Sequence, residues 1–368
     1  MAGTRESGHN VEAPVDRPHR SPWPGCAPRR PSLSTVTISI LLYNSAEDIE
    51  SCLAGIRDQT RAPDSVVILD NASSDDGLDL SRAALPGAIF ERSEVNLGFA
   101  GGQNRAMSIA PAEFHLVLNP DCRLRRDFLE RAVEALEGDP TAGAVSGRLL
   151  RFRMEDPEGV APDLPGDRLD STGMVALRNR RVLDRGSEEE AAGHYLAPAY
   201  VFGPSGAAAL YRREMLEDVA FHGEFFDESF FAYREDVDLA WRALLLGWRC
   251  RYVPSAVARH RRRVAPGRRH RTSAQVNRSS VRNRWQMILK NELASGWLAD
   301  WIEVVGRETA ILGYLALRER HSLLAFRDLA RNLPELTAKR RSVMRRRVAS
   351  DAEMLAWFGR RDEIPIIP

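Results

Sequence analysis

The sequence predicts an α/β fold in which a mainly parallel sheet is flanked by helices. Three observations indicate this fold: short apolar runs rich in β-branched residues, helical spacing of apolar residues between those runs, and Pro or Gly at the junctions. The runs are VTISILL from Val36, SVVILD at 65–70 and FHLVLN at 114–119. Strands that alternate with helices in this way are typical of repeated strand–helix–strand units.

The first helix is predicted directly after the first strand. Ser45 and Asp48 resemble a capping box at its start, apolar residues then recur at helical spacing, and Pro63 marks the turn that follows. The chain next enters the strand that ends at Asp70. The first strand, this helix and the second strand therefore form one βαβ unit.

The same alternation continues along the chain. It predicts a strand over 88–91, a Gly-rich helix entry over 96–106, a helix over 124–136 and a strand over 143–150. The stretch 153–195 is charged and interrupted by Gly and Pro, so it predicts an excursion or hairpin region with little chemistry.

Two flanking regions differ from the predicted catalytic domain at 35–282. Residues 1–34 are rich in Pro, Arg, Gly and Ser without periodicity, which predicts a disordered leader. Residues 283–368 show apolar residues at helical spacing among Arg and Glu, which predicts amphipathic helices. These helices either lie on an anionic membrane surface, helped by the basic run KRRSVMRRR, or pack on the catalytic domain or a partner chain. The pattern leaves both open.

Composition narrows the class of protein. The chain has 368 residues, 43% hydrophobic and 28% charged, which is ample for a large core. Its net charge of +1 argues against wholesale coating of nucleic acid. Cys26, Cys52, Cys122 and Cys250 lie far apart without CxxC spacing, which indicates neither a zinc site nor a disulfide framework and favours a reducing cytosol.

The sequence also bounds the expected location. The N-terminus lacks the apolar core of a signal peptide, and no window reaches the roughly 18–20 consecutive apolar residues that a spanning helix requires. We therefore expect a cytoplasmic protein, and any membrane contact, at the inner face of the cell membrane, should be peripheral.

Polar residues follow several predicted strands at their carboxyl ends, where open parallel sheets bind ligands. They are Asn44, Asp70, Asn71 and the Asn-Pro-Asp sequence at 119–121. An acidic side chain such as Asp121 at a strand end suits Mg²⁺ or Mn²⁺, which prefer oxygen ligands. Asn-Pro-Asp is also an ordinary turn sequence.

A carboxylate cluster follows an aromatic segment in FDESFFAYREDVDLAWR, where Glu235 and Asp236 begin an amphipathic helix. Acidic residues there either complement the helix dipole or perform chemistry. Partial desolvation by aromatic neighbours raises the pKa of a carboxylate toward the range of a general base, which favours Asp236 for that role.

Two loops suit a nucleotide. In VNLGFAGGQNRA at 95–106, glycines before a helix let backbone approach a ligand and let helix N–H groups face phosphate, although the pattern is not GxGxxG. In DNASSDD at 70–76, a carboxylate and an amide at a strand end suit a pyrimidine base or ribose. The alternative is an ordinary polar loop.

Taken in order, these segments resemble glycosyltransferase family 2, whose members have the GT-A fold, and especially its bacterial rhamnosyltransferase-like branch. The resemblance spans roughly residues 36–290. VILDNASSDD is similar to the branch's V-x-D-N-x-S-x-D loop, NLGFAGGQN to its N-x-G-[FY]-[AG]-x-[GA]-x-N segment, and Asn-Pro-Asp to its D-x-D metal motif. The family's processive members carry a Q-x-x-R-W motif that this sequence lacks, which favours transfer of a single sugar.

The resemblance implies roles for individual residues. Asp236 matches the catalytic base of the family's [ED]-D motif, while Glu235, Asp238 and Gly206 (in GPSGAAALYRREM) match the acceptor side. Asp121 and His260 (in VARH) match metal ligands. Donor contacts are implied for Asn44, Asp70, Asn71, Asn96, Gly98, Asn104 and Asn119.

The implied activity is inverting, metal-dependent transfer of a sugar from a dTDP- or UDP-linked donor, with dTDP-rhamnose preferred by branch resemblance. The acceptor is a cell-surface glycan or a lipid-linked intermediate. Asp236 would act as base in a single displacement, and Mg²⁺ or Mn²⁺ would stabilise the leaving diphosphate.

Three alternatives remain. A sugar-1-phosphate nucleotidyltransferase would need a Gly-rich basic loop after the first strand, where Tyr43-Asn44-Ser45 stands instead. A nucleic-acid-binding protein would use RHRRRVAPGRRHR at 259–271, but this run lacks interleaved aromatics, so specific nucleic-acid binding is not expected. An inactive scaffold is disfavoured because Asp121, Asp236 and His260 are present together.

Overall fold

The central sheet brings distant strand ends to one edge. The computed structural model describes residues 34–152, 166–262 and 274–360. Within these residues the strands are β1 Val36–Leu42, β2 Ser65–Asn71, β3 Ile89–Ser93, β4 Phe114–Leu118, β5 Cys122–Leu124, β6 Ala142–Arg151, β7 Leu169–Ser171, β8 Met174–Leu177, β9 Val182–Asp184, β10 Ala199–Val201, β11 Ala208–Arg212, β12 Arg249–His260 and β13 Phe358–Gly359.

Helices cover both faces of this sheet and extend beyond it. They are α1 Ala46–Arg57, α2 Gly77–Ala84, α3 Gly98–Ile109, α4 Phe128–Glu137, α5 Arg213–Val219, α6 Glu235–Leu245, α7 Ala274–Asn291, α8 Ala294–Arg318, α9 Leu324–Arg331, α10 Leu333–Arg346 and α11 Asp351–Leu355. Short 3₁₀ turns lie at Gly193–Leu196, Glu228–Phe230 and Arg320–Leu323.

The main sheet has the strand order β10-β12-β6-β11-β4-β1-β2-β3, with β5 paired to β12 and β7 to β6. β3, β2, β1 and β4 are mutually parallel, and β11 is antiparallel to both of its neighbours, β4 and β6. β6 therefore runs in the direction of β4, and β12 is parallel to β6. The predicted mainly parallel α/β sheet is confirmed, and the carboxyl ends of β1, β2, β4 and β12 share one edge.

The core lies on both faces of the sheet. Alternate side chains of β1, β4 and β6 pack with α1 and α4 on one face, and those of β11 and β12 pack with α5 and α6 on the other. Because both faces are covered, the central strands are apolar along nearly their whole length. This explains why they appear in the sequence as continuous apolar runs.

Two local predictions differ from the structure. Ser45 does not form the expected capping box, since its hydroxyl donates to the Tyr43 carbonyl and the Ala46 N–H instead donates to Asp75 at 2.8 Å. The helix predicted over 124–136 begins only at Phe128, because residues 122–124 pair with β12 as β5. Tertiary pairing overrides local preference in both cases.

The excursion after β6 contributes β7 to the main sheet and β8 and β9 to a second sheet with the order β13-β8-β9. Residues 153–165 of this stretch lie outside the described residues. β7 is completely buried against β6, so part of this stretch belongs to the interior of the sheet.

The C-terminal helices pack on the region that precedes α6. Met287 and Ile288 of α7 share a buried cluster with Phe230 and Trp241. The boundary predicted between residues 282 and 283 falls inside α7, because this helix packs along α6 without a break. In the described parts of the chain, no helix is long and apolar enough to cross a membrane.

Candidate active site

An acid and an imidazole meet where β4 and β12 end. β5 pairs with β12 so that His260 lies opposite Cys122, the residue after Asp121. This register leaves the His260 Nε2 3.2 Å from an Asp121 carboxylate oxygen. The Arg261 N–H also donates to the Asp121 carbonyl at 3.0 Å. Two residues that are 139 positions apart in sequence are thus held side by side by strand pairing.

Asp170 of β7 holds the other side of the imidazole. Its carboxylate lies 2.7 Å from the His260 Nδ1, and its side chain is completely buried beside Arg151. Burial alone would lower the pKa of His260, but hydrogen bonds with Asp121 and Asp170 outweigh it and raise this pKa to about 9. A carboxylate–imidazole pair of this kind fixes the ring orientation and directs Nε2 outward.

The residues present fit a divalent cation as a partial ligand set. The Nε2 of His260 and the carboxylate of Asp121 face each other. The carboxylate suits Mg²⁺ or Mn²⁺, and the imidazole nitrogen suits a transition metal such as Mn²⁺ better than Mg²⁺. The described residues contain no group of three His, Cys, Asp or Glu side chains arranged around one ion. A cation here would complete its shell with phosphate oxygens and water, as Mg²⁺ does when it binds with a nucleotide.

Asp236 reaches the same edge from the start of α6. An added Cβ on Gly206 would lie 3.4 Å from an Asp236 carboxylate oxygen, which is ordinary contact distance, so this carboxylate lies directly beside Gly206. Gly206 precedes Ala207, whose carbonyl accepts the Asn119 N–H at 2.8 Å. Asp236 therefore lies beside the start of β11, where Ala207 is hydrogen-bonded to the Asn-Pro-Asp turn that bears Asp121.

A chain of charged contacts also connects the two acids. Arg262 pairs with Asp184 and lies 3.4 Å from Asp170, which holds His260. The negative charge of Asp184 in turn acts on Asp236 and raises its pKa. The Asp121–His260 pair and Asp236 thus belong to one electrostatic neighbourhood.

The pKa values of Glu235 and Asp236 are both raised, which is the direction that a general base requires. Burial and then the charge of Asp184 raise the pKa of Asp236, against hydrogen bonds from the Val237 and Gly206 backbone. Burial and then Asp236 raise the pKa of Glu235 well above its ordinary value. Asp236 remains partly exposed, whereas Glu235 is buried. Of these two acids, only Asp236 thus combines a raised pKa with access to a substrate.

The segment before α6 is strained and is braced by α7. Phe231, Tyr233 and Arg234 all have positive φ, between 65° and 75°, a conformation that costs energy in residues other than glycine. The buried Asn283 amide of α7 donates to the carbonyls of Phe230, Ala232 and Tyr233, each at 2.9 Å. This brace fixes where α6, and with it Asp236, begins.

The predicted donor loop is built as one unit at the same edge. The Ser74 N–H donates to the Asn44 side chain at 2.9 Å, so the loops after β1 and β2 hold each other. Asp70 is buried and pairs with Arg92 at 3.1 Å. Asn71 accepts the Leu97 N–H at 2.7 Å and donates to Asn96 at 3.0 Å.

The prediction for the Gly-rich helix entry needs correction. Gly98 has φ +71°, and an added Cβ would strike the Phe231 carbonyl. That carbonyl also accepts the Phe99 and Ala100 N–H groups. The close approach that glycine permits is therefore that of Phe231, and these amides do not face a phosphate.

Asn104 also makes contacts other than the implied donor contact. Its side chain exchanges hydrogen bonds with the Phe226 backbone at 2.8 and 2.9 Å and donates to Glu228 at 3.0 Å. It joins α3 to the segment that leads to α6. Asn119 lies partly exposed at the end of β4, where a donor contact remains open to it.

Asp238 is not available to an acceptor. It is completely buried and pairs with Arg242 at 2.9 Å, with Lys290 at 2.9 Å and with the Asn291 amide at 2.8 Å. The sequence prediction is wrong here because Asp238, two residues after Asp236, lies on the opposite side of the helix. That side faces α7.

The described arginines of the basic run are paired with acids of the same chain. Arg259 pairs with the buried Asp167 at 3.1 Å, Arg261 with Asp48 at 3.3 Å, and Arg262 with Asp184. Residues 263–271 of the run lie outside the described residues. Because acids of the chain already neutralise these arginines, they are less suited to binding phosphates of a nucleic acid. This weakens the nucleic-acid alternative.

Sequence reasoning missed Asp170, Asp184, Arg262 and Asn283. Asp170 and Asp184 lie in the stretch 153–195, which had been assigned little chemistry, and Arg262 lies in a run interpreted by its net charge. A signal was present at Asp170, since the acid stands between Leu169 and Ser171 in a short strand-like segment before Gly173. A buried acid in a strand requires a partner.

Comparisons with known sequences identify a family and related enzymes. The glycosyl transferase family 2 model matches residues 37–220. The N-acetylglucosaminyl-diphospho-decaprenol L-rhamnosyltransferase of Mycobacterium tuberculosis is 29% identical over 245 residues, covering 61% of this chain and 76% of that protein. The O-antigen chain rhamnosyltransferase RfbN of Salmonella typhimurium is 23% identical over 232 residues, covering 63% and 68%.

Solved structures resemble the fold. GalNAc-T7, crystallised with UDP, GalNAc and Mn²⁺, matches with a TM-score of 0.53 and 12% identity, over 70% of this chain and 49% of that one. S. aureus TarS matches with a TM-score of 0.52 and 17% identity, over 85% and 54%. The chain thus spans about half the length of these two solved structures. Both are GT-A glycosyltransferases, and the present fold is of that type. The chain belongs to glycosyl transferase family 2.

Proposed function

We propose that this protein transfers one sugar from a nucleotide-diphosphate donor to an acceptor hydroxyl with inversion, using Asp236 as the general base. The observation that supports this most is the meeting of Asp236 with Gly206 at the sheet edge where Asp121 and His260 face each other. For this reaction, the base and the diphosphate site have to be separated by about the length of the transferred sugar.

In the proposed reaction the acceptor oxygen attacks the anomeric carbon while Asp236 takes the hydroxyl proton. The bond from the anomeric carbon to the diphosphate breaks on the opposite face, and the nucleoside diphosphate leaves with the bonding electrons. Asp121 and His260 would hold Mg²⁺ or Mn²⁺, and the cation when bound neutralises the departing charge. Asp170 keeps the His260 Nε2 directed at this position.

Rhamnose from dTDP-rhamnose is the donor we favour, with UDP-linked sugars as the alternative. Two rhamnosyltransferases among the relatives support it. The name of the mycobacterial relative states a diphospho-decaprenol acceptor, which supports a lipid-linked acceptor here. Exposed apolar side chains along α8, with Leu298 79% and Leu317 79% exposed, suit peripheral contact with the lipid phase from the cytoplasmic side.

Replacing Asp236 with Asn tests the function directly. Asparagine cannot accept the hydroxyl proton, so we expect turnover to fall by about 10²–10⁴-fold while Mn²⁺-dependent binding of the nucleotide diphosphate is retained. Turnover is measured by release of nucleoside diphosphate, and NMR of the wild-type product reports the anomeric configuration. Asp218→Asn, an exposed acid on α5, is the control. Near-normal turnover of Asp236→Asn would show that Asp236 is not the base. A product with retained anomeric configuration would rule out a single displacement.

A further inference from the structure

A cavity of about 610 Å³ lies between α7 and α8, close to the start of α6. We name it the α7–α8 cavity; its walls include Arg234, Trp285, Arg307 and Ile311. Its volume is within the roughly 300–1,000 Å³ of small-molecule sites. None of the site residues discussed above as binding donor or metal lines it.

The charges of the α7–α8 cavity are unbalanced. Arg284 pairs with Glu308 at 2.8 Å, and Glu303 on the rim lies 4.0 Å from Arg360. Within the described part of the chain, the buried Nε atoms of Arg234 and Arg307 have no hydrogen-bond partner. Burial and the neighbouring Arg284 and Arg307 lower the pKa of Arg234 to about 10. An anion between these side chains would relieve their repulsion and satisfy their N–H groups.

Much of the remaining lining is apolar. Trp285 and Ile311 line the cavity together with the arginines, and Ile302, which also lines it, is 64% exposed. From there the exposed apolar side chains of α8 continue outward through Trp301 and Leu298. A ligand that fits both the arginines and the apolar part of the lining has an acidic head and an apolar tail.

The α7–α8 cavity adjoins the proposed base. Arg234 stands two residues before Asp236, and the charge of Asp236 acts on its guanidinium. We infer that the α7–α8 cavity binds the lipid diphosphate end of the acceptor: Arg234 and Arg307 hold the phosphates, and the apolar wall holds the start of the lipid chain. This inference rests on the proposed transferase function and specifies its acceptor site.

Binding of farnesyl diphosphate, measured by calorimetry in EDTA without donor, tests the inference. EDTA keeps the metal site from attracting the diphosphate. We expect the wild type to bind this probe more tightly than inorganic pyrophosphate, and Arg307→Gln to weaken its binding at least tenfold. Arg318→Gln, an exposed arginine of the same helix, is expected to stay within twofold. Arg307→Gln removes a charge without a partner, so its melting temperature should not fall.

A second pair of variants tests the apolar half. An added Cβ at Gly306, which lines the α7–α8 cavity, or at Gly313, which does not, meets no atom within 4 Å. Gly306→Trp should therefore weaken farnesyl diphosphate binding, and Gly313→Trp should not. Unchanged binding in Arg307→Gln or Gly306→Trp overturns the inference, as does equal binding of pyrophosphate or equal competition by dihexanoyl phosphatidylglycerol. Because no turnover is measured, failure here is distinct from failure of the Asp236→Asn test.

Discussion

Asp236 shows how a side chain that is ordinary by residue type becomes a suitable base through its surroundings. Burial and Asp184 both disfavour its charged form, and the backbone N–H groups of Val237, Gly206 and Asp236 oppose them only in part. A carboxylate with a raised pKa holds a transferred proton more firmly. His260 illustrates the converse, since two carboxylates favour its charged form despite burial. Metal binding at its Nε2 must then displace a proton.

The raised pKa of Asp236 predicts the pH dependence of transfer. The base works only when it is deprotonated, so kcat/KM should fall as pH drops through a pKa above the ordinary aspartate value of about 3.9. Asp184→Asn removes a neighbouring negative charge and should move this acidic limb to lower pH. Asp79→Asn, on the exposed face of α2, should leave it in place. A limb that stays unmoved in Asp184→Asn would contradict the assignment to Asp236.

At the scale of elements, helices of the C-terminal region hold the start of α6. Lys290 of α7 lies between Asp227 and Asp238, and Lys339 of α10 is 2.7 Å from Asp227. Burial opposes ionisation, but the two lysines hold the pKa of Asp227 far below its ordinary value. A lowered pKa means that this stabilisation is present at neutral pH and is lost in acid.

Lys290→Met tests this connection. Removing the cation leaves two buried carboxylates with fewer partners, and breaking a buried pair costs about 3–5 kcal/mol. We expect a loss of that size in the free energy of unfolding, measured by urea denaturation at pH 7. Arg341→Met, exposed on α10, should change it by less than about 0.5 kcal/mol. A Lys290→Met variant as stable as the wild type would show that the cluster does not join these helices energetically.

At the scale of the molecule, the site exists because one sheet edge gathers the ends of β1, β2, β4 and β12 together with the start of β11. The α6 segment then closes over this edge, held by Asn283 from α7 and by Phe231 against Gly98. The residues that we propose for the donor and for the base are therefore joined by direct contacts. Binding of a nucleotide sugar at the edge should stabilise the whole described unit.

Thermal melting with a nucleotide panel measures that stabilisation. At a ligand concentration 100-fold above Kd, binding to the native state adds about 2.7 kcal/mol, which corresponds to a rise of roughly 4 °C in Tm for a domain of about 300 residues. We expect dTDP with Mn²⁺ to exceed UDP with Mn²⁺, and EDTA to remove most of the shift. Asp121→Asn should lose the Mn²⁺-dependent part, while Asp58→Asn, exposed on the surface, should keep it. A full shift in EDTA would contradict a metal at Asp121.

The sequence by itself determined the α/β class, the order of most elements and the position of Asp121 and Asp236. Apolar periodicity and polar residues at strand ends depend only on neighbouring residues, so they can be recognised without the tertiary structure. Family motifs added His260, whose isolated setting among arginines gave no physical signal. The β5–β12 pairing explains why it belongs with Asp121.

Only the tertiary structure decided which polar residues face a ligand and which hold the protein together. Asp238 and Asn104 look like site residues in the sequence, yet Asp238 is held by Asn291 and Asn104 by Phe226, some 50 to 120 positions away. Asp170 lies in a stretch for which little chemistry was predicted, yet its carboxylate holds the imidazole of His260. A buried polar group without a partner costs free energy wherever it lies. Packing between distant segments determines which partner it finds. That partner cannot be read from a short window of sequence.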